Sequence, residues 1–242
     1  MNNPSEGPST APNGPEGPDP EIASFPARVA QTFFSPGKLS ESLAARPVWI
    51  GALILGAVLV GLQSALIPIE VWESMFRETM IQRGQAVPEG MGSGGVAIMR
   101  ISALVAGPIM YCVMAFLFAG VATLVFSFIL GDEGRYKQYL AMVSHALIIP
   151  TFVGLLLVPL RIAEQNPQLT LNLGTFLYFL PDGYLSKVLT MLDISQFWAW
   201  AVVGMGAHAI DSRRSVGSAV SVLIALSVIL ALIFANFVPS AG

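Results

Sequence analysis

Long apolar runs without a charged side chain alternate with short polar segments along most of the chain. A helix that crosses the ~30 Å hydrocarbon core of a bilayer needs about 20 mostly apolar residues, and most of these runs have that length. The shortest run has Trp198 and Trp200 near its start, where aromatic side chains suit the membrane interface. The pattern predicts five transmembrane helices, at residues 48–67, 101–130, 138–160, 194–210 and 215–238.

The segment before the first run, residues 25–47, predicts two short amphipathic helices. Phe25, Val29 and Phe33 recur at helical spacing and give the first helix one apolar face. A Ser-Pro-Gly break separates it from a second short helix with two leucines four residues apart. Such a segment either lies in the membrane interface or packs on the cytosolic end of the bundle, and the sequence leaves both arrangements open.

Three segments of different composition therefore follow one another. Residues 1–24 are rich in Pro, Gly and Ser without apolar periodicity, which predicts a disordered cytosolic tail. The amphipathic pre-membrane segment, 25–47, comes next. Residues 48–238 form the predicted five-span membrane domain, an all-α polytopic bundle.

Lysine and arginine near the ends of the predicted spans indicate the orientation in the membrane. Seven of these residues lie on the side of the N-terminus and five on the other side. Because cytosolic loops carry the excess of Lys and Arg, we expect a cytosolic N-terminus and, after five spans, a C-terminus outside. The cytosolic face would then be formed by residues 25–46, 131–137 and 211–214.

The composition agrees with a membrane protein and argues against several other classes. Hydrophobic residues make up 54% of the chain and charged residues 11%, whereas soluble domains carry about 25% charged residues. The net charge of −3 and the lack of a long Lys/Arg run argue against a nucleic-acid partner. The single cysteine, Cys112, cannot form a disulfide within the chain.

Motifs of membrane hydrolases and nucleotide-binding proteins do not occur in the sequence. Neither His145 nor His208 belongs to an H-E-x-x-H zinc motif. No serine lies in a Gly-x-Ser-x-Gly setting, and no phosphate-binding Gly-x-x-x-x-Gly-Lys-Ser/Thr loop is present. We therefore expect a protein that is not an enzyme, with no catalytic, cofactor-binding or metal-binding residues.

The charged turn before the third predicted span is the first candidate functional feature. Asp132, Glu133, Arg135 and Lys137 lie within six residues. Acidic side chains are favoured ahead of a helix N-terminus by the helix dipole. The turn is therefore interpreted either as a capped turn at the membrane surface or as a loop on which a protein partner docks.

His145, within the third predicted span, is the second candidate. It could be an intramembrane polar site that contacts a ligand in a cavity near Pro150. The alternative, which the sequence favours, is a neutral imidazole hydrogen-bonded to a carbonyl or hydroxyl group of a neighbouring helix, because charging a histidine at this depth is costly.

Three stretches of the sequence resemble the Yip1 family of polytopic membrane proteins. These stretches are FFSPGKLSESLAARPVW before the first span, LGDEGRYKQYLAMVSHALIIP at the third, and LTMLDISQFWAWAVVGMGAH at the fourth. With the five predicted spans, the resemblance covers roughly residues 30–238. The compact form is similar to prokaryotic members, which implies a bacterial cytoplasmic (inner) membrane.

The resemblance also implies a function. Eukaryotic members of the family act in ER–Golgi vesicle traffic, where they bind prenylated small GTPases and one another, which implies a scaffold and not an enzyme. Residues 1–24 lack the structured cytosolic motifs associated with that role, which argues against small-GTPase binding here.

Two functions therefore remain. The first is a non-enzymatic membrane scaffold or adaptor in membrane organisation or trafficking. Its partners would be membrane lipids, membrane or peripheral proteins, and further copies of itself. The alternative is a small transporter, channel or lipid-handling protein with a cavity near His145.

Overall fold

The computed structural model describes residues 22–82, 84–85, 93–177, 179–181 and 183–237. Most of the predicted disordered tail, residues 1–24, lies outside the described residues. The described residues contain no named β-strand, and one isolated bridge joins Asn172 to Asp193.

The described residues form twelve α-helices and one π-helix. They are α1 (Phe25–Phe34), α2 (Pro36–Ala45), α3 (Ile50–Leu66), α4 (Ile69–Gln82), α5 (Ser93–Thr123), the π-helix (Leu124–Ile129), α6 (Tyr136–Ala146), α7 (Ile148–Leu156), α8 (Val158–Ala163), α9 (Leu173–Phe176), α10 (Tyr184–Thr190), α11 (Ile194–Ile210) and α12 (Val216–Phe234).

In the part of the chain that the structure describes, three helical segments are long and apolar enough to cross a bilayer: Ala97–Ile129, Tyr136–Leu156 and Val216–Phe234. A fourth candidate consists of Ile50–Leu66 and Ile69–Ile81, which are bent by 86° from each other. The apolar α11 has 17 residues and is therefore shorter than each of these three segments. These helices confirm the predicted all-α membrane bundle. That the chain crosses the membrane five times stays a prediction.

The helix pair α6–α7 forms the centre of the bundle. Every residue of α6 from Tyr139 to Ala146 is buried. The most apolar part of Tyr136–Leu156 is 67% buried, against 17% for that of Val216–Phe234. Helices α3, α5 and α11 pack around this pair, so the polar side chains of Ser144, His145 and Thr151 face protein instead of lipid.

The two predicted amphipathic helices are present as α1 and α2. Leu39 and Leu43 of α2 are fully buried, and they pack on Ala141 and Met142 of α6. Of the two arrangements that the sequence leaves open, α2 therefore takes the one packed on the bundle. The ring of Phe33 in α1 also faces the bundle, edge-on to Phe152 at 5.5 Å between ring centroids.

Gly56 of α3 makes room for the Tyr111 side chain of α5. A Cβ atom at Gly56 would lie 2.0 Å from the hydroxyl oxygen of Tyr111. Small residues of this kind bring membrane helices together, because lipid supplies no hydrophobic drive between them. The Tyr111 side chain is thereby held in the space between the two helices.

Helix α5 continues through Pro108 and ends in the π-helix. Gly131 follows with a φ angle of +74°, a left-handed conformation that a glycine adopts without strain. The N–H of Asp132 then donates to the Phe126 carbonyl at 2.9 Å. The π-helix and this glycine turn therefore set the direction of the charged turn that leads into α6.

Candidate functional site

The charged turn is fixed to the connection between α11 and α12 by a bidentate ion pair. Arg214 donates from Nε to Oδ2 of Asp132 at 2.5 Å and from Nη2 to Oδ1 at 2.7 Å. The Asp132 side chain is 5% exposed and that of Arg214 is 16% exposed. The Asp132 carboxylate raises the pKa of Arg214, mainly through this hydrogen bond.

A second pair lies beside the first. Arg213 donates from Nη2 to Oδ2 of Asp211 at 2.5 Å and from Nε to Oδ1 at 3.0 Å. The same carboxylate accepts the backbone N–H of Glu133 at 3.1 Å. The hydrogen bond from Arg213 is the largest cause that holds the pKa of Asp211 well below its ordinary value, and Asp211 in turn raises the pKa of Arg213.

An aromatic layer lies beneath these pairs. The guanidinium carbon of Arg214 is 5.9 Å from the centroid of the Phe126 ring. That ring stacks on Tyr139, with 5.8 Å between centroids and 11° between planes. A Cβ atom at Gly134 would lie 2.4 Å from the Tyr139 ring, so the turn passes directly over it. Ion pairs and stacked rings together hold the turn in one conformation.

The four charged residues predicted at this turn separate into two groups. The Asp132 carboxylate is engaged inside the protein, whereas Glu133, with an 83% exposed side chain, Arg135 and Lys137 lie on the surface. The Gln138 side chain fixes their backbone, because its Oε1 accepts the Arg135 N–H at 2.9 Å and its Nε2 donates to the Ala44 carbonyl of α2 at 2.8 Å. We call Glu133, Arg135 and Lys137 the charged surface.

His145 is fully buried, and its Nδ1 lies 2.9 Å from the carbonyl oxygen of Ala141 in the same helix. The sequence predicted a partner on a neighbouring helix, whereas the structure gives a carbonyl one turn earlier in α6. The Nε2 atom has no hydrogen-bond partner among the described residues. The two cavities described below are lined by Pro150 and not by His145.

A buried polar cluster that the sequence did not predict lies at the opposite end of α6–α7. Gln63 of α3 donates from Nε2 to the Thr151 carbonyl at 2.9 Å. Arg161 of α8 donates from Nη1 to Gln63 Oε1 at 3.0 Å and from Nε to the Leu169 carbonyl at 2.9 Å. A Cβ atom at Gly154 would lie 2.6 Å from Gln63 Oε1, so this glycine makes the space for the amide.

Arg161 is a buried cation without a close counter-ion. The residue is 9% exposed. No carboxylate in the described part of the chain lies within the 4.0 Å of an ion pair with it. Burial lowers its pKa, and the more distant Asp193 partly offsets that change. Asp193 itself caps α11 by accepting the Ser195 N–H at 2.7 Å.

Two adjoining cavities lie next to this cluster. The first, of about 400 Å³, is lined by Gln63, Tyr111, Arg161 and Gln196 together with apolar side chains. The second, of about 570 Å³, is lined mainly by apolar side chains, with Trp200 and the Asp193 that caps α11 also on its wall. Both share Met114, Phe118, Pro150 and Gln196.

Several residues that line these cavities carry a buried polar atom with no partner among the described residues: Tyr111 Oη, Gln196 Nε2 and Trp200 Nε1. Buried polar groups without partners are rare in folded proteins, so each requires an explanation. All three can donate a hydrogen bond. The residues that line the cavities therefore carry unused donors, and Arg161 adds a guanidinium group.

The sequence carried only a weak signal for this second cluster. Gln63 is the only amide side chain in the apolar run 48–67, and Arg161 directly follows the run 138–160. From the sequence alone, Arg161 indicated only the orientation of the chain in the membrane. The two residues are 98 positions apart, and their contact depends on how α3 crosses α7 and α8.

No group of three or more His, Cys, Asp or Glu side chains that could hold a metal ion is found where the structure describes the chain. The apolar helices, with charged turns at one end of the bundle, define a helical integral membrane protein. The family model of the Yip1 domain matches residues 30–235, which is most of the chain. The protein therefore belongs to the Yip1 domain family, as its sequence motifs predicted.

Searches of curated proteins and of solved structures found no significant match. The Yip1 family is not a known enzyme family. The assignment to the prokaryotic branch of the family stays a prediction.

Proposed function

We propose that this Yip1 domain protein is a non-enzymatic membrane scaffold or adaptor that binds partner proteins through its charged surface. The observation that supports this most directly is the combination of exposed charges with a fixed backbone. Glu133, Arg135 and Lys137 are exposed on a turn that is held in place by the ion pair of Asp132 with Arg214 and by the hydrogen bond from the Glu133 N–H to Asp211. A preorganised surface loses little conformational entropy when a partner binds.

The charges of the surface indicate the chemistry of the partner. Arg135 and Lys137 present two cations, and the exposed Arg213 guanidinium lies close by, 3.6 Å from Glu133 Oε1. Acidic segments of membrane or peripheral proteins complement such a surface, and charge complementarity speeds association and selects partners. We propose membrane lipids and further copies of the chain as additional partners. The proposed partners do not include nucleic acid or small GTPases.

The proposal includes an orientation and a location. The excess of Lys and Arg on the side of the N-terminus supports a cytosolic N-terminus and a C-terminus outside. The charged surface would then face the cytosol. The similarity of the compact sequence to prokaryotic family members supports the bacterial cytoplasmic membrane as its location.

Reversal of the two cations tests the proposal. The variant Arg135→Glu/Lys137→Glu should recover clearly less partner protein after crosslinking in the membrane and affinity isolation, because both attractive charges become repulsive. Membrane insertion, measured by resistance to carbonate extraction, should be unchanged. The reason is that both side chains are exposed and outside the ion pairs of Asp132 and Asp211.

The matched control is Arg77→Glu/Lys187→Glu. It changes the net charge by the same amount at the other end of the bundle and should leave partner recovery intact. Equal recovery from wild-type protein and the Arg135→Glu/Lys137→Glu variant would refute the docking role of the charged surface.

A further inference from the structure

The buried guanidinium of Arg161 has unused hydrogen-bonding capacity directed at a cavity. An arginine side chain carries five N–H groups, and Arg161 makes two hydrogen bonds to residues that the structure describes. A buried charge without a counter-ion is costly unless something pairs with it. Because Arg161 lines the first cavity, a bound anion would supply the missing counter-charge.

The other polar groups on the wall suit the same anion. Tyr111 and Gln196 line this cavity, and each carries a buried donor, Tyr111 Oη and Gln196 Nε2, that has no partner among the described residues. With Arg161 they make a set of hydrogen-bond donors from α5, α8 and α11. Phosphate oxygens accept hydrogen bonds and pair strongly with guanidinium groups, often in a bidentate manner.

The surroundings indicate where the anion comes from. Met110 at the first cavity, and Leu230 and Phe234 at the second, are among the exposed large apolar side chains of the bundle. Both cavities therefore open among side chains that face the hydrocarbon of the bilayer. A molecule that enters from this direction is a lipid, whose apolar chain fits the second cavity.

We propose that the cavity between α3, α5, α7, α8 and α11 binds an anionic phospholipid, with Arg161 paired to the headgroup phosphate and Tyr111 and Gln196 donating to its oxygens. The second cavity receives an acyl chain along the walls that the two cavities share. This site is separate from the charged surface, which lies at the opposite end of α6–α7. It does not depend on the scaffold function.

Lipid-dependent thermal stabilisation of the full-length protein in a neutral detergent tests the site. Phosphatidylglycerol should raise the melting temperature more than phosphatidylcholine, because a ligand that binds only the folded state stabilises it. Arg161→Gln should abolish this preference. The matched control Arg77→Gln removes an exposed arginine at the same end of the bundle and should keep the preference.

Tyr111→Phe covers the case in which Arg161→Gln fails to fold. It removes only a hydroxyl group that has no partner among the described residues, so the lipid-free protein should be as stable as wild type. Binding of phosphatidylglycerol should weaken about tenfold, since a hydrogen bond to a charged group is lost. Unchanged affinity in this variant would overturn the assigned role of Tyr111 and with it the proposed site.

Two further ligands distinguish the source of the anion. Inorganic phosphate alone should stabilise the protein far less than phosphatidylglycerol, because it cannot use the apolar cavity. Equal stabilisation by phosphate, or by phosphatidylcholine, would overturn the proposal. Stronger stabilisation by oleate than by phosphatidylglycerol would overturn the assignment to a phospholipid.

Discussion

Replacing Asp132 with asparagine and Arg214 with glutamine, singly and together, measures how strongly the charged turn is held to the α11–α12 connection. The two charged hydrogen bonds of this pair, at 2.5 and 2.7 Å, are short and parallel. Bidentate geometry of this kind adds strength to an ion pair. Each single variant leaves one charge unpaired, either the buried Asp132 or the partly exposed Arg214.

The exposure of the two side chains determines how large the coupling energy between them should be. Exposed ion pairs contribute about 0–1 kcal/mol, whereas removal of one partner from a buried pair costs about 3–5 kcal/mol. With Asp132 5% exposed and Arg214 16% exposed, the pair lies nearer the buried limit. We expect a coupling energy of about 2 kcal/mol, which corresponds to roughly a 30-fold change in the unfolding equilibrium.

The assay is unfolding in neutral detergent micelles with increasing sodium dodecyl sulfate, followed by far-UV circular dichroism, for a complete double-mutant cycle. Glu73 and Arg77 on α4 provide the matched control, because they form an i,i+4 pair at 2.9 Å with side chains 42% and 57% exposed. Their coupling energy should stay near or below about 0.5 kcal/mol. A coupling energy for Asp132 and Arg214 that equals this control would refute the reasoning from burial.

Two further predictions follow from the packing and from the second ion pair. Gly56→Ala should destabilise the protein by about 1–3 kcal/mol in thermal unfolding, because the added methyl group meets the Tyr111 hydroxyl. The control Gly120→Ala has open space around its Cβ and should leave the stability unchanged. Equal losses of stability in the two variants would contradict this prediction. In the folded protein the pKa of Asp211 lies below its ordinary value of 3.8. The ionised Asp211 therefore stabilises the fold fully at neutral pH, and this contribution is lost as the pH falls below about 4. Asp211→Asn should therefore be less stable at neutral pH and should show a shallower loss of stability on acidification, and an unchanged slope would speak against this ion pair.

The elements that depend on local pattern were predictable from the sequence. The spacing of Phe25, Val29 and Phe33 gave α1, and the position of Pro36 at the start of α2 fits its missing N–H. The long apolar runs gave the spanning segments of the bundle. These predictions succeed because the pattern of one segment determines its own hydrogen bonds and its apolar face.

The candidate sites were less predictable because they depend on contacts between distant segments. The sequence assigned residues 131–137 and 211–214 to one face, and the structure brings them together. It did not indicate that Asp132 forms an ion pair with Arg214, 82 positions away. Because of this pair, Glu133, Arg135 and Lys137 are the charges of the turn that remain exposed. For Arg161, no local pattern distinguishes an arginine at a membrane surface from one buried beside a cavity.

The hydrogen bonds of Gln63 also have a consequence for the order of assembly during synthesis. Its partners, Thr151 and Arg161, follow it by 88 and 98 residues. The first apolar helix therefore enters the bilayer with an amide whose native partners have not yet been made, and unsatisfied polar groups are costly in hydrocarbon. Docking of α3 onto α7 and α8 is consequently a late step of biogenesis, and until then α3 needs a temporary partner for this amide, such as interfacial water or the insertion machinery.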